Sequence, residues 1–287
     1  MCGRGRYCLS SGKISKRCQA SGNVSGSDDD LLERENFGPG MSAYIVIMDG
    51  DDRVLKKAQW GLIPAYRKEP IKSSSFFKKF NARSDNLEYV HSRLLARKHC
   101  IVCFNGFYEW RNEAKKLFKE KKQPYYVSDK QADILCIAGL YDECTVDEKV
   151  YTTFTIITVD ASNEFKEIHN RMPALLETDE EIDAWLGTTT WSSDIIETFL
   201  RPKNCLKWHP VSQQMSKTEY QAKDCSQPAK LEVLRCINKM FPKASDAPKN
   251  QKSFEDVTDE IKKRPSTSAS SPPSKKSNKL TCYFAKK

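Results

Sequence analysis

The sequence lacks any apolar run approaching the roughly 20 residues that a membrane-spanning helix needs. Its opening, "MCGRGRYCLSSGK", holds no apolar stretch of the kind a secretory signal carries. No motif recurs at a fixed period along the 287 residues, which excludes a solenoid or a propeller. The cysteines make no regular framework either. There are eleven, at 2, 8, 18, 100, 103, 136, 144, 205, 225, 236 and 282, an odd number at irregular spacing. These absences lead us to expect an intracellular protein with reduced thiols. "HCIVC" places His99 beside Cys100 and Cys103, but no second Cys/His pair follows at zinc-binding spacing. We therefore expect an apolar strand with two buried thiols, and no metal or other cofactor.

What is present is enough to build a core, with 39% hydrophobic and 10% aromatic residues. The formal net charge is +9, which favours an acidic partner, nucleic acid first. From Pro242 onward eleven Lys/Arg face five Asp/Glu, so the first 241 residues keep only +3. Nucleic-acid binding there needs a local patch rather than a global field.

Hydrophobic patterning points to strands. "SAYIVIM-DGDD-RVLKKAQWGL" reads as a hairpin about an Asp-Gly turn. "CIVCF", "PYYV", "ADILCIAGLY" and "YTTFTIITV" read as further strands, and residues 1–17 as a strand or extended arm. Residues 18–40 read as a loop and "RNEAKKLFKEKKQ" as a charged excursion. "HSRLLARKHC" reads as a helix end, and "NEFKEIH" and "SSDIIETFL" as helices. "TDEEIDAWL" carries the Thr178/Glu181 spacing of a capping box. Strands with helices between and after them predict an α+β fold with a largely antiparallel sheet. The core closes near residue 240 with "KLEVLRCINKMF". Residues 241–287 form a tail too poor in apolar residues to offset its ordering entropy. Its "KKRPSTSASSPPSKK" has the composition of a nuclear-localisation patch.

Four stretches concentrate chemistry. "AQWGLIP" ends a strand at Trp60. "KKFNARSD" sets Asn81 and Arg83 on one side of an extended segment. "FNGFYEW" places Glu109 between aromatics, where an acid is semi-buried, and "KEIHNRMP" offers His169 and Arg171. Each alone has a plain structural reading: a core aromatic, a surface ion pair, a satisfied histidine. At the N-terminus, Cys2 would carry a free α-amine beside its thiol once Met1 is removed, a pairing that an internal cysteine lacks.

In order along the chain, "CGRGRY", "NFGP", "WGLIP", "NARSD", "GFYEW" and "IHNRMP" closely resemble the signature blocks of the SOS-response-associated peptidase-like (SRAP) family, from Cys2 to about residue 240. The resemblance implies curved, mainly antiparallel sheets in an open barrel-like core, with peripheral helices and a basic DNA groove. It implies crosslinking to abasic sites in single-stranded DNA, with Cys2 as nucleophile, Glu109 and His169 as acid–base residues, and Asn81 and Arg83 on DNA near the reacting sugar. Asp85 stands where the family usually has Glu, and Cys103, Phe104 and Asn105 also depart from its pattern. The tail's end resembles a sliding-clamp-binding peptide over 277–284, with Leu280, Tyr283 and Phe284 in place but Ser277 where glutamine is usual.

The chemistry suits these residues. The α-amine condenses with the sugar aldehyde to an imine, and the thiol closes a thiazolidine ring. An α-amine with a pKa near ~7.7–8.0 is partly uncharged at neutral pH. His169 and Glu109 would move the protons. Arg83, with Arg4 and Arg171, would hold phosphates, and Trp60 would stack on a base. The expected setting is the nucleus, at chromosomes or replication forks, as a monomer with no membrane partner. A cysteine peptidase pairing Cys2 with His169 and a non-covalent reader of modified DNA are the alternatives.

Overall fold

The structure is a computed structural model that describes residues 3–21, 33–112, 122–187 and 192–229. All lie within one compact unit, Met1–Arg235. "KLEVLRCINKMF" and the tail, with its clamp-type peptide, fall outside the described residues, as do residues 113–121 of the charged excursion. No described helix is long and apolar enough to cross a membrane.

The elements run β1 (Arg4–Tyr7), α1 (Ser11–Cys18), β2 (Arg34–Phe37), β3 (Ser42–Asp49), β4 (Asp52–Trp60), β5 (Asn81–Arg83), α2 (Leu87–His91), β6 (His99–Phe104), β7 (Gly106–Asn112), β8 (Lys122–Asp129), β9 (Leu135–Val146), β10 (Lys149–Asp160), β11 (Arg171–Pro173), α3 (Asp179–Leu186), α4 (Ser193–Phe199) and β12 (Leu206–Pro210). Strands dominate and helices sit between and after them.

Five strands pair in a closed cycle, β10-β4-β3-β6-β9 and back to β10, so the barrel is closed where an open one was expected. The cause is strand length. β9 and β10 have twelve residues each, and one edge of β10 serves β9 from Lys149 to Ile156 while the other takes β4 and β5. Past the Ile156–Gly139 pair β9 and β10 part, and β11 enters between them, pairing antiparallel with Thr158–Asp160 of β10 while Leu175 bridges to Ile137 of β9. Only β4 and β5 run parallel to β10. A second, antiparallel sheet has the order β12-β8-β7-β1-β2.

The β3–β4 hairpin forms about the Asp-Gly turn, with Gly50 at φ 63° and Asp49 opposite Asp52. Every residue of β6 is buried, as its unbroken apolar run predicts for a strand covered on both faces. Thr178 caps α3, its hydroxyl accepting from the Glu181 N–H at 3.2 Å. Three readings change. The 18–40 segment read as a loop holds β2, which pairs antiparallel with β1. The arm at 1–17 contains α1, capped by Ser10, whose buried face is only Ile14 and Cys18 at i and i+4. That is too little apolar periodicity to register in the sequence. "NEFKEIH" is a single 3-10 turn, Phe165–Glu167, because β11 begins four residues later.

Trp60 is fully buried. Its ring stacks between Phe37 (5.8 Å, 6°) and Phe154 (6.3 Å, 3°), and its indole N–H donates to the Phe80 carbonyl at 2.8 Å. Gly61 follows at φ 116°, and a Cβ there would stand 2.1 Å from the Phe76 carbonyl oxygen. "WGLIP" is thus a barrel-packing device: a large ring fills the core and a glycine lets the next segment pass over it.

Candidate functional site

The site assembles where the antiparallel sheet meets the β10–β11 corner of the barrel. β1 pairs with β7 with Arg4 opposite Tyr108 and Gly5 opposite Phe107. Continuing that register by one residue sets Gly3 against Glu109. Alternation along β7 puts Phe107 and Glu109 on one face. Tyr108 and Trp110 face the other way and join a separate cluster with Tyr126, Val211 and Met215. Glu109 is buried, but the aromatics beside it in sequence do not bury it.

Phe107 is what brings the histidine to the acid. Its ring packs edge-on against Phe165 at 5.9 Å, and Phe165 in turn meets Trp208 at 5.6 Å. This fixes the 3-10 turn, whose Phe165 carbonyl accepts from the His169 N–H at 3.1 Å. His169 then lies half-buried, within electrostatic reach of Glu109. Burial lowers the His169 pKa, and the Glu109 charge opposes the shift. Nδ1 of His169 accepts from the Arg171 N–H at 3.0 Å. In the neutral ring the proton therefore sits on Nε2. Lys122 adds positive charge nearby, a residue that sequence reasoning did not single out.

Two residues on, Arg171 is buried and committed. It donates to the Thr158 carbonyl at 2.6 Å and to Asp160 at 2.8 Å, and lies 3.6 Å from Asp85. A buried guanidinium so engaged cannot clasp a phosphate, so Arg171 is an organiser of the corner rather than a DNA contact. On the other flank of Thr158, Arg83 is half-exposed and holds Asp85 bidentately, Nε to Oδ1 at 3.0 Å and Nη2 to Oδ2 at 2.6 Å. Both arginines hold the Asp85 carboxyl below its ordinary pKa, Arg83 through the larger effect. Asp85 thus ties the buried arginine to the exposed one. Asn81 and Arg83 share a face of β5, with Ala82 buried on the other.

Arg4 is half-buried and donates to Asn36 Oδ1 at 2.8 Å. Burial lowers its pKa, opposed by Glu219. The fully buried Asn36 also donates to the carbonyls of Met215 and Lys217, both at 2.8 Å, so Arg4 belongs to an anchored loop system.

With Trp60 enclosed in the core, it cannot stack on a base. Other aromatics are exposed instead: Tyr66, Phe77 and Tyr89, at 68%, 55% and 93%. They flank β5 in sequence, among Arg67, Lys68, Lys78, Lys79 and Arg93. A cavity of about 460 Å³ is lined by Tyr66, Arg67, Lys68, Lys78 and Lys79, and Arg93 lies 5.8 Å over the Tyr66 ring. The sequence signal was available: aromatics interleaved with Lys and Arg, outside any alternating strand.

Comparison with known proteins decides the family. The family model described as SOS response associated peptidase (SRAP) matches residues 1–218. The chain belongs to the SRAP family. Among SRAP relatives, the abasic site processing protein HMCES of Gallus gallus is 30% identical over 271 residues, covering 81% of this chain and 79% of that one. An abasic site processing protein of Saccharomyces cerevisiae is 32% identical over 200 residues, 67% of this chain and 52% of that one. A crystal structure of a protein from Bacteroides thetaiotaomicron superposes with a TM-score of 0.68 at 26% identity, covering 80% of this chain and all of that one. The SRAP match begins at the first residue, but Cys2 itself lies outside the described residues.

Proposed function

We propose that this SRAP protein processes abasic sites in single-stranded DNA, and does so covalently through Cys2. The observation that carries the reading is the β1–β7 register, which leads the start of the chain to Glu109, where His169 also stands. Cys2 directly precedes Gly3 in the sequence, and this reading assigns it to the acid–base pair. The relatives named as abasic site processing proteins support the substrate.

Met1 must leave first, by self-cleavage or by an aminopeptidase, to free the Cys2 amine. The sugar of the abasic site opens to its aldehyde as the C1′ hydroxyl gives up its proton and the departing ring oxygen gains one, with His169 Nε2 moving the proton. The amine adds to the carbonyl carbon and one water departs, aided by Glu109. The Cys2 sulfur then adds to the imine carbon, and the thiol proton ends on the ring nitrogen. The product is a thiazolidine, and the same pair run backward releases the DNA. Arg83 would hold a phosphate beside the reacting sugar, and Tyr66, Phe77 and Tyr89 would offer stacking surfaces that tolerate any base. The basic clusters of the tail and Leu280, Tyr283 and Phe284 fit work at a nuclear replication fork with a sliding clamp as partner.

The test is a denaturing gel of Met1-processed protein incubated with single-stranded DNA carrying one abasic site. A heat-stable shifted band is expected, lost or reduced to an unstable imine in Cys2→Ala. His169→Ala should slow its appearance by about 10²–10⁴-fold, the usual share of a general acid–base group. Absence of any crosslink from protein whose mass confirms Met1 removal overturns the reading.

A further inference from the structure

Away from Glu109 and His169, three cysteines from three elements meet inside the barrel wall. Cys18 ends α1, while Cys103 on β6 stands directly opposite Cys136 on β9. Cys18 Sγ lies 3.6 Å from Cys103 Sγ and 3.9 Å from Cys136 Sγ. All three sulfurs fall within 4.8 Å of one another, and all three residues are buried.

The triangle has the dimensions of a coordination site. With edges of 3.6 Å, 3.9 Å and at most 4.8 Å, a cation in the plane of the three sulfurs and equidistant from them would sit at most about 2.4 Å from each, against ~2.3 Å for a zinc–thiolate bond. No pair is at bonding distance, and all are thiols. We propose that Cys18, Cys103 and Cys136 form a three-thiolate site for Zn²⁺, with the fourth position open to the adjoining cavity.

Two further features support this. The first is an entry path: Cys136 lines a cavity of about 510 Å³ together with Arg17, Leu135 and Leu176. The second is charge. Binding releases three thiol protons and leaves a net −1 on the zinc and its thiolates. Arg17, next to Cys18, lies where its positive charge acts on both Cys136 and Cys18. It pairs with Asp179 at 2.9 Å and donates to the Glu177 carbonyl at 3.0 Å, so Asp179 offsets part of the charge it offers the sulfurs. Arg53 donates to the Cys18 carbonyl at 2.8 Å, fixing the end of α1. A cuprous ion would leave −2 in the same buried place, which favours the divalent cation among thiophilic metals. A second cluster, Asp129, Glu177 and Cys205, borders the same cavity. It mixes two carboxylates with one thiol and is less buried, so the all-sulfur site is the better match for zinc.

The experiment uses the full chain, reduced and stripped of metal, titrated with Zn²⁺ and separately with Co²⁺. One ion per chain is expected, with three protons released per ion and a thiolate-to-cobalt charge-transfer band. Zinc should raise the melting temperature. Cys136→Ala and Cys18→Ala should each lose the band and the zinc-dependent rise, and Cys205→Ala should keep both. Circular dichroism of the metal-free variants establishes that they fold. Should either fail to fold, the proton count and cobalt spectrum of the wild-type chain decide alone. No stoichiometric ion, an ion lost in Cys205→Ala but kept in Cys136→Ala, or a chain two hydrogens lighter through a disulfide within the trio would each overturn the site.

Discussion

At the scale of single residues, side-chain type set what chemistry was available and burial decided which residues are free to use it. Arg83 and Arg171 look equivalent in the sequence. One is half-exposed and the other is spent on Thr158, Asp160 and Asp85. Trp60 and Tyr89 make a similar contrast, one enclosed by aromatic rings and the other 93% exposed. Burial also gives a measurable pH dependence. His91 is 7% exposed, and burial, reinforced by Lys79, lowers its pKa to about 4 from 6.5. The unfolded chain therefore takes up this proton first as pH falls. The stability that His91 contributes by staying neutral is intact above about pH 6.5 and is lost progressively towards pH 4. The loss is of order 3 kcal/mol, from ~1.4 kcal/mol per pH unit. His91→Gln should flatten this part of the curve. Urea midpoints for both proteins between pH 7 and 4.5 check it, and parallel curves would count against the assignment.

At the scale of elements, periodicity was informative where the buried face is wide and silent where it is narrow. β6 is buried throughout and read clearly as a strand, whereas α1 hides only Ile14 and Cys18. Turn and cap chemistry filled some gaps. The Asp-Gly turn located the β3–β4 hairpin, and the Thr178/Glu181 spacing located α3. Thr178→Ala removes the hydroxyl that accepts from the Glu181 N–H. It should cost about 1 kcal/mol, the usual value of an N-cap, read as a lower urea midpoint with an unchanged slope. Thr178→Ser should keep most of the stability. Asp85 shows how an element end organises a corner: two residues beyond β5, it joins Arg83 and Arg171 across β10.

At the scale of the whole molecule, closure of the barrel organises stability and site together. The strands of the closed cycle have no free edge there, and β3, β6 and β9 hold long buried runs. Amide hydrogen exchange should be slowest in β6 and the centres of β3 and β9. It should be much faster around α2, where Tyr89 and Val90 are exposed. Mass-spectrometric exchange checks the order, and uniform protection across both regions would contradict it. The corner at which β9 and β10 part and β11 enters between them is where His169 and Arg171 stand. The strand that closes the barrel therefore also places the site.

The sequence by itself determined the family, a strand-rich fold, and the candidate residues Glu109, His169, Asn81 and Arg83. It could do so because these lie in short blocks whose local spacing survives in one dimension. Only the tertiary structure decided that Trp60 is core and that Arg171 organises instead of binding. It also decided that Glu109 meets His169 through Phe107 and Phe165. The cysteines show the reason most plainly. "HCIVC" reads as one motif, yet alternation along β6 turns Cys100 and Cys103 to opposite faces. The partners of Cys103 are Cys18 and Cys136, 85 residues before it and on the neighbouring strand. Contacts across a barrel wall depend on register and closure, and no local spacing encodes them.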